Sequence, residues 1–250
     1  MILDIHDLSI KINNKRHVIY AVNDVTFSLK QGETLAIVGE SGSGKTVLTH
    51  SILRLHNENH ITFTNGKIVF NNENLLNFHP KQMEKIRGND ISIILQDPMS
   101  ALDPTMEVGK QIAEKITYHK KTTDIKPLVV DLMAQVGIPD PELRYHYYPH
   151  QLSGGLRQRV TIAIAISCQP KILIADEPTT ALDVTIQAQI LDLMLDLKNK
   201  RSDAAILLIT HDLAVIAETC DRVIVMYGGV IQEIAEINEL FSNPVHPYTK

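Results

Sequence analysis

The chain has 250 residues, of which 44% are hydrophobic and 21% are charged, which suits one large α/β domain or a domain with an inserted lobe. Its formal net charge of −5 argues against nucleic acid as a partner, because nucleic-acid-binding surfaces are usually basic. No apolar run approaches the roughly 18–20 residues of a membrane-spanning helix, and residues 1–4 do not resemble a secretory signal. We therefore expect a cytosolic protein in which Cys168 and Cys220 are buried and reduced.

The N-terminal residues 3–29 are predicted to form antiparallel strands. Val25, Phe27 and Leu29 alternate with polar residues, which is the period-two pattern of a half-buried strand. Residues 13–16 are polar and of types common in turns, so we expect them to connect two of these strands.

The next stretch combines an apolar strand, a glycine-rich loop and a helix. Residues 35–38 are apolar, residues 39–46 follow the pattern Gly-x-x-x-x-Gly-Lys-Thr, and residues 47–55 have a helical pattern. This order is typical of a phosphate-binding loop. The members of the loop are Gly39, Glu40, Ser41, Gly42, Ser43, Gly44, Lys45 and Thr46.

Each part of this loop suits the phosphates of a nucleotide. Glycine lets backbone N–H groups approach the anion, and a helix N-terminus presents further N–H groups and the positive end of its dipole. Lys45 would bridge the β- and γ-phosphates, and the Thr46 hydroxyl would hold Mg²⁺. The alternative is a Gly/Ser-rich turn with a chance lysine, but the strand before it and the helix after it favour nucleotide binding.

Beyond the loop, strands are expected at residues 68–70 and 91–95, and the character of the chain then changes. The apolar positions with helical spacing are Val108, Ile112 and Ile116, followed by Leu128, Leu132 and Val136. We expect a mostly helical lobe, residues 97–159, inserted into a sheet-containing core formed by residues 1–96 and 160–250.

Strand and helix patterns alternate in the last third of the chain. The expected strands are residues 172–175, 206–210, 223–227 and 230–234. One helix has Ile186, Ile190, Leu193 and Leu197 on a single face, and a shorter one begins at Leu213. Such alternation predicts a largely parallel sheet covered on both faces. The predicted fold class is therefore α/β, with a mixed-sheet core, an N-terminal antiparallel β subdomain and an inserted α-helical subdomain.

Polar side chains follow several of the predicted strands. Asp176 and Glu177 follow one strand, His211 a second and Gln96 a third. Because the carboxyl ends of parallel strands meet at one edge of a sheet, we expect these side chains to lie close together. Asp176 suits a Mg²⁺ shell, Glu177 suits activation of an attacking water, and His211 is placed to reach the γ-phosphate. Gln96 is a candidate for sensing the metal or the water. The alternatives are a solvated strand end and a structural histidine.

A second candidate anion site precedes the helix that runs through Ala163 and Ala165. Ser153 is a good N-cap, and Gly154 and Gly155 open the helix. A helix N-terminus of this kind can bind a phosphate, although it could also be merely a capped helix.

In combination, these residues resemble the ATP-binding cassette (ABC) ATPases. The corresponding motifs are Walker A (residues 39–46), the Q-loop glutamine (Gln96), the LSGGQ signature (residues 152–158, with Leu156 and Arg157 before the glutamine), Walker B (residues 172–177), the D-loop (residues 181–183) and the switch histidine (His211). The resemblance covers nearly the whole chain in the right order. It implies a P-loop NTPase (RecA-like) fold, with ATP and Mg²⁺ as ligands.

The resemblance also implies roles for individual residues. ATP hydrolysis would depend on Glu177, His211, Gln96 and Lys45. Thr46, Gln96 and Asp176 would face the metal. The family forms a head-to-tail dimer, in which each ATP lies between the Walker A motif of one subunit and the signature serine of the other, here Ser153 with Gly154 and Gly155.

The expected partners follow from the same resemblance. They are two transmembrane permeases, an identical or paralogous ATPase subunit and, indirectly, an extracytoplasmic substrate-binding protein. The protein would lie on the cytoplasmic face of the cell membrane. Residues 96–104 and 243–249 are similar to motifs of oligopeptide, dipeptide and nickel importer ATPases, so peptide uptake is expected, with nickel, metal-chelate or antimicrobial-peptide transport left open.

One position departs from the family pattern. The family stacks adenine on an aromatic side chain near position 12, which is Ile12 here, so Tyr20 is the nearest substitute. Whether a C-terminal extension follows Lys250 is left open.

Three other interpretations are disfavoured. A soluble ABC ATPase of DNA repair or chromosome organisation is usually interrupted by a long coiled coil, and the acidic charge balance of this chain also argues against that function. A non-hydrolysing, ATP-gated module would not need both Glu177 and His211. The histidine-rich residues 146–150 are interpreted as a surface loop and not as a metal site.

Overall fold

The computed structural model describes residues 1–13, 18–56, 60–120, 122–179, 184–201 and 203–246. The expected turn at residues 13–16, the D-loop at 181–183 and the tail motif at 243–249 lie wholly or partly outside the described residues. The chain divides into two compact units, which we call unit 1 (Met1–Glu84 with Ser202–Lys250) and unit 2 (Lys85–Arg201). The helical lobe expected at residues 97–159 stays a prediction.

Unit 1 contains an antiparallel sheet. Its strands are β1 (Leu3–Asn13), β2 (Val18–Leu29), β4 (Ile61–Phe70) and β5 (Glu73–Asn74), in the order β2-β1-β4-β5. Val25, Phe27 and Leu29 are all buried, as the period-two pattern predicts. Strand β4 is longer than the short strand expected at residues 68–70, because β1 pairs with it along nearly its whole length. That pairing is not visible in the local sequence of β4.

The remaining strands of unit 1 are arranged around β3 (Thr34–Val38). Strands β8 (Ala205–Ile209) and β9 (Arg222–Tyr227) flank it in parallel, and β10 (Val230–Glu236) pairs with β9 in antiparallel orientation. Every residue of β3 and β8 is buried, which is the behaviour expected of strands in a parallel sheet. The α-helices of this unit are α1 (Lys45–Ile52), α9 (Leu213–Thr219) and α10 (Ile237–Ser242), and α2 (Pro80–Ile86) begins in this unit and ends in the first residues of unit 2.

Unit 2 contains the parallel strands β6 (Ile91–Ile94) and β7 (Ile172–Asp176). Its helices are α3 (Pro98–Ala101), α4 (Val108–His119), α5 (Ile125–Gln135), α6 (Pro141–Arg144), α7 (Gly154–Ile166) and α8 (Val184–Asn199). Within the described ranges of the whole chain, none of the helices has the length and apolar character needed to span a bilayer.

The helices of unit 2 test the periodicity predictions. In α4 the three predicted positions, Val108, Ile112 and Ile116, are all buried. For α5 the prediction holds only in part. Val136, directly after the helix, is fully buried and Leu132 is half-buried, but Leu128 is 49% exposed while Val129 and Met133 are fully buried. Residues 128 and 132 have the same spacing as residues 129 and 133, so tertiary packing decides which pair turns inward.

Helix α8 follows its predicted face in part. Ile190 is buried, and Ile186 and Leu193 are half-buried, while Leu191 and Met194 complete the buried side. The side chain of Leu197 lies outside the described part of the structure. Cys168 and Cys220 are buried and are not joined in a disulfide, as predicted.

Candidate functional site

The phosphate-binding loop of unit 1 is fixed by two glycines. The backbone leaves β3 at Gly39 (φ +151°) and enters α1 through Gly44 (φ +97°), both outside the usual range of residues with side chains. A Cβ at Gly39 would lie 2.1 Å from the carbonyl oxygen of Met226, and one at Gly44 would lie 2.2 Å from that of Ala21. Strands β9 and β2 therefore hold the two ends of the loop, and neither glycine leaves space for a side chain.

Lys45 lies inside this loop. The residue is only 7% exposed, and its ammonium donates to the carbonyl oxygens of Gly39 (2.7 Å) and Glu40 (2.9 Å) and to Ser43 Oγ (3.4 Å). These bonds compensate a buried charge that would otherwise be unfavourable. Gly44, the N-cap of α1, supplies no side-chain hydrogen bond to the helix start. A positive charge and a helix N-terminus without a side-chain cap together fit the phosphates of a nucleotide.

His211 leaves the sheet beside the phosphate loop. Ile37 of β3 pairs in parallel with Ile209 of β8, and Gly39 and His211 each lie two residues beyond this pair. Neighbouring strands are about 4.8 Å apart, so the two residues occupy the same level of the same sheet edge. His211 is exposed, and the next residue, Asp212, caps α9 by accepting two backbone N–H bonds. The cap fixes the turn on which His211 lies.

Tyr20 lies close to the same loop. It is 53% exposed on β2 and directly precedes Ala21, whose carbonyl oxygen lies against Gly44. The ammonium of Lys11 lies 4.7 Å from the centre of the Tyr20 ring. The ring is thus available next to the phosphate loop, and its role in adenine stacking stays a prediction.

In unit 2, the ends of two strands bring Gln96 and Glu177 together. Ile94 of β6 pairs with Ala175 of β7, and each of the two polar residues lies two positions beyond this pair. Gln96 Nε2 donates to Glu177 Oε2 at 2.9 Å. Asp176, the last residue of β7, is 4% exposed. The geometry places an amide donor on the carboxylate that the sequence suggests as the catalytic base.

Ser153 is presented at the surface of unit 2. It is the N-cap of α7, and its Oγ accepts the backbone N–H of Leu156 at 3.4 Å. Leu152, directly before it, is buried, whereas Ser153 and Gly154 are exposed. Buried Leu152 thus anchors the chain directly before the exposed N-terminus of α7. An exposed helix N-terminus can bind an anion that approaches from outside the unit.

The family model described as ABC transporter matches residues 22–180. The chain belongs to the ABC transporter family.

Curated relatives of this ABC protein extend over nearly its whole length. The oligopeptide transport ATP-binding protein OppD of Bacillus subtilis (strain 168) is 50% identical over 250 residues, covering 99% of this chain and 70% of that protein. The dipeptide transport ATP-binding protein DppD of Lactococcus lactis subsp. cremoris (strain MG1363) is 49% identical over 251 residues, covering 99% of this chain and 71% of that protein. At this identity the two relatives share the family of the chain.

Solved ABC structures have the same fold. CbiO1 of Clostridium perfringens, described as part of an ABC transporter complex, superposes with a TM-score of 0.81 at 28% identity, covering 97% of this chain and 91% of that one. The ATP-binding cassette MJ0796 superposes with a TM-score of 0.84 at 24% identity, covering 94% of this chain and 98% of that one, which supports the fold alone. The predicted P-loop NTPase fold is confirmed, and the chain is an ABC ATPase that binds ATP.

Two glutamines of this ABC domain were not predicted to lie near Glu177. Gln158 of α7 donates its Nε2 to the carbonyl oxygen of Pro178, and Gln187 of α8 donates to that of Thr179. The sequence interpretation placed Gln158 only within the signature motif and did not single out Gln187. Gln158 is 1% exposed. A polar residue at a buried position of a helix would have indicated a specific contact, but hydrophobic periodicity alone does not identify such a position.

The histidine-rich segment before α7 makes surface contacts. His146 Nδ1 lies 3.0 Å from a Glu107 carboxylate oxygen, and its Nε2 lies 3.2 Å from the Lys126 ammonium. The bond from His146 is the main cause that lowers the pKa of Glu107. Across the described residues, no group of three or more His, Cys, Asp or Glu side chains is arranged to hold a metal ion.

Proposed function

We propose that the chain is the ATP-hydrolysing subunit of an importer for oligopeptides or dipeptides. The cargo class rests on the relatives, which are peptide transport proteins about half identical to this chain over nearly its full length. The observation that carries the hydrolytic role is the 2.9 Å bond between Gln96 and Glu177 at the end of two paired strands. A carboxylate and an amide bonded to each other in this way support the activation of a water nucleophile by Glu177.

In this proposal Glu177 accepts a proton from the attacking water. Gln96 orients the Glu177 carboxylate through its amide N–H. Lys45 binds the β- and γ-phosphates, for which its ammonium is already held inside the loop by Gly39 and Glu40. His211 contacts the γ-phosphate from the neighbouring strand end.

The residues proposed for Mg²⁺ are of suitable chemical types. They are the hydroxyl of Thr46, exposed in the first turn of α1, the buried carboxylate of Asp176 and the amide oxygen of Gln96. Mg²⁺ in nucleotide sites prefers such oxygen ligands and takes the rest from phosphates and water. When bound, the ion would neutralise charge that develops on the phosphates.

We also propose that two such ATPase subunits work as a head-to-tail dimer. Support comes from the exposed N-terminus of α7, where Ser153 and Gly154 lie open to an anion from outside unit 2. The phosphate in question would belong to the nucleotide of the other subunit. The second subunit can be identical or paralogous.

The surface proposed to dock the permeases is residues 96–104, which include α3. Asp97 caps α3, and Met99 on this helix is 48% exposed. The buried amide of Gln111 accepts the backbone N–H of Asp103 and donates to the carbonyl oxygens of Asp103 and Met106, which fixes the segment behind α3. The result is an exposed apolar side chain on a short helix that is followed by a fixed segment. This suits a protein partner and association with the cytoplasmic face of the membrane.

Uptake measurements test the cargo assignment. Cells that lack this gene are complemented with the wild-type gene or with Lys45→Ala. The variant should bind ATP more weakly, because the phosphate loop loses its positive charge. The cells are then supplied with labelled dipeptide, labelled tetrapeptide or nickel. We expect peptide uptake to return with the wild-type gene only. Uptake of nickel alone, or peptide uptake that does not depend on the gene, would contradict the assignment.

A further inference from the structure

Three glutamines hold the turn that follows β7, and we call Gln96, Gln158 and Gln187 together the glutamine clamp. They reach three consecutive residues from three different parts of unit 2. Gln96 bonds the Glu177 carboxylate at 2.9 Å, Gln158 bonds the Pro178 carbonyl oxygen at 2.6 Å, and Gln187 bonds the Thr179 carbonyl oxygen at 3.1 Å. The turn is thus fixed both at its side chain and at its backbone.

The backbone of this turn requires such support. Glu177 has φ +47°, a left-handed conformation that residues other than glycine, Asn and Asp rarely adopt. Conformations of this kind persist when the surroundings determine them, and they are concentrated at functional sites. The carbonyl oxygen of Pro178 is the first backbone acceptor after Glu177, so a donor to it restrains the conformation that aims the Glu177 carboxylate.

Gln158 is unusual among the three because it is buried. The residue is 1% exposed, and its Oε1 has no hydrogen-bond partner among the described residues. An apolar side chain of similar size would avoid this unpaired oxygen, so packing does not account for the amide. What the amide provides is its N–H bond to Pro178.

The position of Gln158 on α7 connects two proposed parts of the site. Ser153 caps the start of the same helix, five residues earlier, which is about 7.5 Å along the axis. A helix of this length moves as a rigid element, so a change in the position of Ser153 also changes the position of Gln158. Because Gln158 is bonded to Pro178, such a movement would also act on the turn that carries Glu177.

We propose that Gln158 is a positioning residue for ATP hydrolysis, which holds the Glu177–Pro178 turn in register with the helix that carries Ser153. The inference rests on the proposed roles of Glu177 and Ser153. It assigns to Gln158 no contact with ATP, so ATP binding and catalysis should separate when its amide is removed.

The test compares two glutamine substitutions in the assembled transporter. Gln158→Met keeps the length of the side chain and removes the N–H donor. Gln189→Met is the control, because the Gln189 amide on α8 accepts a bond from Arg159 and forms no hydrogen bond to the described residues of the turn. We expect kcat for ATP to fall at least tenfold in Gln158→Met, with KM and fluorescent-ATP affinity within about twofold of wild type. Gln189→Met should keep kcat within about twofold.

The other outcomes also decide the question. An unchanged kcat in Gln158→Met, or a loss of kcat matched by an equal loss of ATP affinity, would overturn the positioning role. If Gln158→Met does not fold, Gln158→Asn replaces it under the same criteria, since the shorter side chain withdraws the amide from Pro178. Glu177→Gln is measured in parallel: normal turnover there would mean that the proposed function fails, independently of Gln158.

Discussion

Glu177 illustrates how single residues in this protein are held by contacts from several directions. Its left-handed backbone costs an L-residue roughly 1–2 kcal/mol, and the bond from Gln96 fixes its carboxylate. A carboxylate held in this way would need little reorganisation in the proposed attack of water on ATP. The chemistry of the residue therefore depends on its neighbours as much as on its own side chain.

The first prediction concerns this carboxylate. Glu177→Gln keeps the shape of the side chain and removes its basicity, so ATP binding should remain within a few-fold of wild type. ATP turnover should fall at least about 100-fold, the usual contribution of a general base. Phosphate release and equilibrium ATP binding are the measurements. Glu218→Gln, at an exposed position of α9, is the control and should behave as wild type. Normal turnover in Glu177→Gln would remove this residue from the mechanism.

A second prediction at the residue scale separates two glycines of the phosphate loop. Gly39→Ala places a Cβ 2.1 Å from the Met226 carbonyl oxygen, whereas a Cβ at Gly42 meets nothing within 4 Å although its φ is +81°. Gly42→Ala should therefore cost only about 1–2 kcal/mol from backbone strain. Gly39→Ala should cost clearly more, since backbone has to move. Urea unfolding measures both, and equal losses of unfolding free energy would contradict the close approach of β9.

At the scale of elements, Lys115 joins three parts of unit 2. Its ammonium, on α4, donates to Ser92 Oγ on β6 (3.0 Å) and to the carbonyl oxygens of Ile164 (2.7 Å) and Ala165 (3.1 Å) in the last turn of α7. A cation at a helix C-terminus satisfies carbonyl groups that have no partner within the helix and complements the helix dipole. Although the residue as a whole is half-buried, desolvation lowers the pKa of its ammonium to about 8.

This pKa predicts a dependence of stability on pH. Between pH about 8 and 10.5 the unfolded chain holds a proton on Lys115 and the folded chain does not, so the contribution of Lys115 to the unfolding free energy increases with pH. It is greatest above pH 10.5 and decreases as the pH falls to about 8. The slope is at most about 1.4 kcal/mol per pH unit.

Chemical unfolding of wild type and Lys115→Met across this range measures the effect as the difference between the two proteins. Because the charge of Cys168 influences the pKa of Lys115, a second series should compare the same two proteins with Cys168→Ala added to both. A difference that stays flat up to pH 10 would show that the folded pKa is not lowered.

At the scale of the whole molecule, the last prediction concerns coupling to the permeases. Met99→Asp introduces a charge at an exposed position of α3, so it should leave the fold and ATP binding unchanged while it disrupts an apolar contact with a partner. Peptide uptake should fall at least about fivefold. Leu143→Asp, at a 59% exposed position of α6, is the control for added charge elsewhere in unit 2. Intact uptake in Met99→Asp would count against residues 96–104 as the dock.

The sequence by itself determined the features that are encoded locally. Strand β3, the glycine loop and α1 follow each other within about twenty residues, so their types and order define the phosphate loop without knowledge of any distant contact. The same holds for the N-cap at Ser153 and for the polar residues that end β6 and β7. These features also carried the family assignment, since the motifs occur in a fixed order along the chain.

The tertiary structure decided what depends on distant partners. Two equally spaced apolar pairs on α5 compete for the interior, and packing selects Val129 and Met133. The full length of β4 exists because β1 pairs with it, and the amide of Gln158 reaches Pro178 from a helix twenty positions earlier. Local patterns specify which element forms, but burial and hydrogen bonding between remote residues determine which face, which length and which contact the folded chain adopts.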